Sequence, residues 1–434
     1  MRTAADLASG PVCEAVGMAS SPSGSLVSAD VRRHNLALVA HRLADRGPQS
    51  RSQLADATGL ARGSVTALVA ALVEAGVVRE TEEPEAASRG SAARGRPLTL
   101  LRLAADDVAL LVLQLDADQA TALLTAVDGH ALFRAAEHHG RPMGDPERVL
   151  DVLARVLARA LDGAAGLGRR VAALTVVVFA PIGGTPPVVV ADTDFEWGAV
   201  DVLGGLRRRV PGLPPASLAS DGTVAALAEL AELEAAGEGV RDLVYAKSNS
   251  GIGGAVVADG ALVAGAHGFA GAFGHIAVVP GGPRCLCGQR GCLVTVAGPD
   301  LVLAEAGLAA EVAERGLTEA LRELVARVRA GEPRASAAWE AAVPWIAHTL
   351  RIVAMTVDPD LIVLGGYWAE LCAPIATAFA EDGWTIAATA TPIAVVPGRL
   401  GEDAALLGAA RAARDALLDD PLALSSLDSA SVTI

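Results

Sequence analysis

The order of apolar and polar residues divides the chain into a short helical start and a longer alternation of strands and helices. From Arg33 to Arg46 apolar side chains recur at helical spacing and stop at Gly47-Pro48, which predicts one helix and a turn. Ser50 is placed to cap a second helix through Gln53, Leu54, Ala55 and Ala57, ending at Gly59. A third follows from Arg62 to Ala75, with Val65, Leu68, Val69 and Leu72 inward and Gly76 as its stop. Residues 77–79 then read as a strand and residues 98–103 as its return. Two helices about a turn at Gly59-Leu60, followed by a hairpin, have the spacing of a winged helix-turn-helix.

After Ala104 the periods change. Residues 108–116, 121–127 and 171–179 read as strands, with a helix from Pro146 to Leu161 between the second and third. A second set begins at Leu243 and passes through Gly251-Ile252-Gly253-Gly254; further helices lead to the strand Leu361 to Leu364. The expected class is α/β, in two lobes, behind an α+β winged helix.

Charge sharpens this division. The 434-residue chain carries a net charge of −15, yet Arg32 to Arg102 holds eleven arginines against seven acids, a net of +4. Any polyanion contact is expected in that first module, because the acidic remainder repels nucleic acid. The predicted base-facing residues are Arg62, Ser64 and Thr66, with Arg51 on the preceding helix and Arg94 and Arg96 in a loop slim and cationic enough for an A·T-rich minor groove. Solvated surface or a dimerisation unit is the alternative. No basic leader with an apolar core and no long uncharged apolar run occurs, so a cytoplasmic protein without membrane contact is expected.

Of five cysteines, three lie in Cys285-Leu286-Cys287-Gly288-Gln289-Arg290-Gly291-Cys292, ten residues after His275. Three thiolates and an imidazole form a tetrahedral zinc set, and four protein ligands leave no open position for an activated water. A structural zinc is therefore expected. A disulfide cluster or unrelated core thiols are the competing readings, and a reducing compartment disfavours the first.

Gly271-Ala272-Phe273-Gly274-His275, the cysteine knuckle and Asp358-Pro359-Asp360-Leu361-Ile362-Val363-Leu364-Gly365-Gly366 together resemble the ROK family of repressors, open reading frames and sugar kinases. The resemblance covers roughly residues 32–415. It implies an actin-like, ribonuclease-H-type pair of lobes with a sugar cleft between them, and the leading winged helix resembles the regulatory branch, whose members are homodimers or homotetramers that release DNA when a sugar binds. By the same resemblance Asp221, in Ser220-Asp221-Gly222-Thr223, stands at the kinases' general base, and Thr193, Ser220, Asp221 and His275 line the ligand site. Read from local pattern alone, Asp221 is as well a helix N-cap.

This chain departs from the kinases at several places. Ala272 and Val294 stand where the family has glutamates, and Thr193 where it has an asparagine. The first phosphate loop reads Asp116-Ala117-Asp118-Gln119-Ala120, without a glycine to admit phosphate to the backbone amides and with an extra acid to repel it. ATP binding is not expected. The resulting expectation is a DNA-binding regulator, a repressor of a pseudo-palindromic, A·T-rich operator in double-stranded DNA, with a degenerate kinase cleft that senses a sugar or another small molecule. An ATP-dependent sugar kinase fused to a DNA-binding domain is the alternative. The expected organisation is a leader over 1–31, the winged helix over 32–103, a first lobe over 104–238, a second lobe with the knuckle over 239–400, a helix over 401–418 returning to the first lobe, and a tail over 419–434.

Overall fold

The computed structural model describes residues 28–82, 99–141, 144–190, 197–381 and 392–422. The winged helix opens with α1 (Ser28–Arg46), which begins several residues before the apolar repeat and inside the expected leader. Helices α2 (Arg51–Thr58) and α3 (Arg62–Glu74) follow, then the hairpin β1 (Val78–Glu82) and β2 (Thr99–Leu103). Ser50 forms a full capping box: its hydroxyl accepts from Gln53 N, and the Gln53 side chain accepts from Ser50 N at 2.8 Å. Gln49 exchanges two backbone hydrogen bonds with Leu101, so the segment before α2 lies against the wing as a third short strand.

The first lobe contains β3 (Val108–Leu115), β4 (Gln119–Ala126), β5 (Ala131–His138), α4 (Pro146–Gly166), β6 (Arg170–Val178), the small hairpin β7 (Ile182–Gly183) and β8 (Val188–Val189), α5 (Val202–Arg209) and β9 (Ala216–Ser220). Its five-stranded sheet has the order β5-β4-β3-β6-β9, antiparallel on one side of β3 and parallel on the other. The connecting helix α6 (Asp221–Ala235) leads to the second lobe. There β10 (Leu243–Ser248), β11 (Ile252–Ala258) and β12 (Ala261–Leu262) precede α7 (Val294–Ala297), α8 (Pro299–Glu305), α9 (Ala309–Arg315), α10 (Leu317–Arg329) and α11 (Pro333–Val357). The lobe is completed by β13 (Leu361–Gly366), α12 (Tyr367–Glu370), α13 (Cys372–Glu381) and β14 (Ala394–Pro397), and the described chain closes with α14 (Ala404–Asp419). The second sheet, β12-β11-β10-β13-β14, repeats the arrangement of the first. Two lobes of the ribonuclease-H type, preceded by a winged helix, are thus present as expected.

Strand β3 explains how the parts are joined. All eight of its residues are buried, because successive side chains point to opposite faces and both faces are covered. Ala109, Leu111, Leu113 and Leu115 pack with α4, whereas Val108 and Leu110 pack with the winged helix and Val112 with α6 and α14. Helix α14 packs against Val112 of β3 and Val177 of β6 through Ala405, Leu406 and Ala409. It also joins the winged-helix core through Ala413 and Leu418, a contact that local periodicity does not announce.

Candidate functional site

In the knuckle, chain geometry converges four donors. His275 ends a 3-10 turn over Phe273–His275, and Cys292 is bridged to Ala277, which brings the two ends of the motif together. Cys285 N donates to Gln289 O at 2.9 Å and Gly288 N to Cys285 O at 3.0 Å, closing a tight loop around Cys287. Gly291 has φ 73°, and a Cβ there would stand 1.8 Å from Val279 O, so this position requires glycine.

One ligand atom from each of His275, Cys285, Cys287 and Cys292 lies within 4.8 Å of all the others. Cys287 Sγ and Cys292 Sγ are 3.6 Å apart, and Cys285 Sγ is 3.6 Å from His275 Nδ1. These separations match a tetrahedron of Zn–S bonds of about 2.3 Å, whose edges are about 3.7 Å. The thiols form no disulfide, and Cys285 and Cys292 are buried. Burial pushes the Cys292 thiol up to about 12, so a metal binding there must displace its proton. The donor set fits a closed structural metal site.

On the winged helix, the N-terminal turn of α3 presents Arg62, Ser64 and Thr66 to solvent, beyond the turn made by Gly59 at φ 70°. Thr66 Oγ1 donates to Arg62 O at 2.9 Å, which directs its lone pairs rather than its proton outward. Arg51 differs from the simple expectation: its guanidinium pairs with Glu80 on β1 at 2.6 Å and ties α2 to the wing. Arg94 and Arg96, like Thr193, lie outside the described residues.

Ser220 and Asp221, the positions that the ROK resemblance assigns to the ligand site, lie at the start of α6. Ser220 is the N-cap residue of α6, and Asp221 is its first residue, one place later than an N-cap reading requires. Asp221 Oδ1 accepts from Gly222 N, and Oδ2 is paired with the ammonium of Lys247 from β10. Both side chains are about 10% exposed. Glycine at 222 and 254 permits this approach: a Cβ on Gly222 would meet Gly254 O at 2.8 Å. Lys247 is the chain's only lysine, in an otherwise apolar strand, and that isolation was the sequence signal for its role.

Asp116 directly follows β3 in the same region. Burial raises its carboxyl above the ordinary carboxylate range, partly offset by the Lys247 ammonium, while Asp221 and Asp118 add repulsion. Asp118 reaches across the cleft instead, accepting from Leu317 N at 2.7 Å at the start of α10. The loop between β3 and β4 thereby fastens the first lobe to the second. Three further links cross the same region: Arg134 of β5 to Asp403 with two bonds of 2.8 Å, Arg322 of α10 to Glu402, and Arg141 to Asp300 at 2.9 Å.

Comparison with known proteins agrees with this architecture. A profile of the ROK family matches residues 115–416, and one of the IclR helix-turn-helix domain matches residues 37–82. A kanosamine kinase of Amycolatopsis mediterranei is 30% identical over 246 residues, covering 56% of this chain and 77% of that protein. The DNA-binding transcriptional dual regulator NagC of Escherichia coli is 27% identical over 350 residues, covering 78% and 82%. Among solved structures, a ROK family transcriptional regulator described as a homologue of the E. coli MLC protein superposes with a TM-score of 0.69 at 25% identity, covering 92% of this chain and all of the other. A Streptomyces griseus glucokinase bound to glucose and AMPPNP shares the fold at a TM-score of 0.58 and 23% identity, over 70% of this chain.

Proposed function

The chain belongs to the ROK family, and from that premise we propose that it is a DNA-binding transcriptional regulator, a repressor, whose two-lobed domain has given up phosphoryl transfer. The observation that carries this reading is the union of an IclR-type helix-turn-helix with a cleft whose candidate base is neutralised by Lys247. Both oxygens of that carboxylate already accept, one from Gly222 N and one from the Lys247 ammonium, and these contacts compete with an attacking hydroxyl for the same lone pairs. The similarity to NagC over 78% of this chain, and to the MLC homologue over 92% of it, supports the same reading.

In this proposal a zinc held by His275, Cys285, Cys287 and Cys292 is structural and fixes the loop between β12 and α7. A two-fold homodimer places two copies of α3 on half-sites of a pseudo-palindromic operator, in the cytoplasm, with Arg62 and Ser64 toward base edges and Arg94 and Arg96 toward a minor groove. Operator release follows binding of a small effector to the lobes.

Selection of duplexes from a random DNA pool by the zinc-loaded protein, followed by sequencing, tests the proposal. An enriched palindrome supports it, and binding without enrichment overturns it. The similarity to kanosamine kinase favours one second reading, an ATP-dependent sugar kinase with Asp221 as base. Turnover of an amino sugar that is lost in Asp221→Ala would establish it.

A further inference from the structure

A cavity of about 390 Å³ lies between the lobes, bounded by the loop after β3, by α10 and by the segment that begins α14. That volume is within the range of small-molecule pockets. Its arginines are already engaged: Arg134 with Asp403, Arg322 with Glu402 and Arg329 with Glu370. Asp116 adds another carboxyl to the wall. Each arginine is thus matched by a carboxylate and one carboxyl is left over, so an incoming phosphate would meet carboxylates before an unpaired arginine. Between the ion pairs the lining mixes an apolar strip of Leu317, Leu321, Val325 and Leu406 with uncharged polar groups such as Gln119, Asn249 and Thr318.

Two residues of this wall, Gln114 and Tyr367, carry a buried polar atom without a hydrogen-bond partner among the described residues. Gln114, on β3, is 9% exposed, and its Oε1 has no hydrogen-bond partner among the described residues. A buried acceptor left without a donor is costly, and because Gln114 lines the cavity a turn of its side chain would bring that acceptor to a ligand N–H or O–H.

The cavity is also tied to the winged helix by a single rod. Gly401, Glu402, Asp403 and Leu406, at the start of α14, line it. Some twenty Å along the helix, by the usual rise of about 1.5 Å per residue, Arg414 pairs with Asp45 and Asp419 accepts from or shares a proton with His41 at 2.9 Å, both on α1. The helix itself is continuous from Ala404 to Asp419.

We propose that this cavity is the effector site, that it takes an uncharged small molecule bearing a hydrogen-bond donor on an apolar body, and that α14 carries its occupancy to the winged helix. The proposal rests on the regulator reading above. A ligand that lodges beside Asp403 and Glu402 shifts the balance of their pairs with Arg134 and Arg322, and any shift of α14 is delivered directly to α1. Coupling requires that the ligand favour one position of this helix over another.

The probe is a panel of uncharged aryl amides and aryl alcohols, with ATP as the charged comparison, followed by ligand-detected NMR on the full chain. Members of the panel are expected to bind, and Ala326→Trp, which adds bulk at an exposed position in the wall, is expected to reduce binding at least roughly tenfold. Gln114→Leu, nearly isosteric and compatible with its buried surroundings, should weaken donor-bearing members without altering the circular dichroism spectrum. On the selected operator, binders should change affinity by roughly 5- to 150-fold, the usual range of coupling between sites.

No binding by any panel member, binding indifferent to Ala326→Trp, tighter binding of ATP, or occupancy that leaves operator affinity unchanged would each overturn the proposal. If duplex selection returns no operator, the regulator reading fails, and the NMR comparison still decides whether the cavity is a site.

Discussion

The ammonium of Lys247 is paired with the carboxylate of Asp221 across the junction of β10 and α6, with both side chains largely buried. Removing one partner leaves the other charged in a poorly solvated place. Lys247→Met is therefore expected to cost about 3–5 kcal/mol, and Lys247→Met with Asp221→Leu to recover most of it. Urea denaturation of the two variants checks this. Equal losses in the single and double variants would show that packing, not charge, dominates at this position.

Metal removal should act on stability before it acts on anything else. One zinc per chain is expected by elemental analysis, falling below half in Cys285→Ser or Cys292→Ser, with a lowered melting temperature after chelation. Because the buried Cys292 thiol sits at about 12 without metal, zinc uptake should release protons and weaken as pH falls. An unchanged melting temperature after complete chelation would contradict a structural role.

The base-facing and the bracing arginines should separate in a binding assay. Arg62→Glu, on the exposed turn of α3, is expected to cost about 1–3 kcal/mol of operator affinity at fixed salt. Arg51→Ala breaks the partly exposed pair with Glu80 and should cost under about 1 kcal/mol of stability. A larger effect on DNA affinity from Arg51→Ala than from Arg62→Glu would reverse these assignments.

Ser50→Ala removes the hydroxyl that accepts from Gln53 N and opens the capping box. A loss of about 1 kcal/mol is expected, read as a lower melting temperature. Ser50→Asn should restore much of it, whereas failure of Asn to do so would point to the burial of Ser50 and not to its cap.

The Arg134 guanidinium, by hydrogen bonding to Asp403, holds that carboxyl below its ordinary value of 3.8. A group whose acidity is increased by folding contributes stability above the unfolded value, and the contribution is lost as pH falls through the lowered one. Wild type should therefore exceed Asp403→Asn in melting temperature at neutral pH, and the difference should shrink below 3.8. A difference independent of pH would mean that ionisation of Asp403 is not what ties β5 to the start of α14.

Much of this was legible because it is local. The apolar run of β3, broken only by Gln114, announces a strand covered on both faces, and Ser50 with Gln53, Gly59 and the inward residues of α3 define the helix-turn-helix. The knuckle was legible through residue chemistry, since few arrangements want three cysteines and a histidine so close. Two sheet edges were not: β9 consists of Ala216-Ser217-Leu218-Ala219-Ser220, small residues whose strand character comes from pairing with β6, and β5 lies only partly buried on the far edge. Likewise, the pairing of Lys247 with Asp221 and of Asp118 with Leu317 joins residues far apart in the chain, which no periodicity reports.

Helix α14 has a consequence for the order in which the protein is built. The winged helix is the first described part to leave the ribosome, yet its core includes Ala413 and Leu418, and His41 meets Asp419 across 378 positions of sequence. Contacts of such separation form late, after the intervening chain has condensed. A nascent chain thus exposes its DNA-reading helix with one flank of the module still bare, and the module acquires its final seat only when the two lobes behind it have closed.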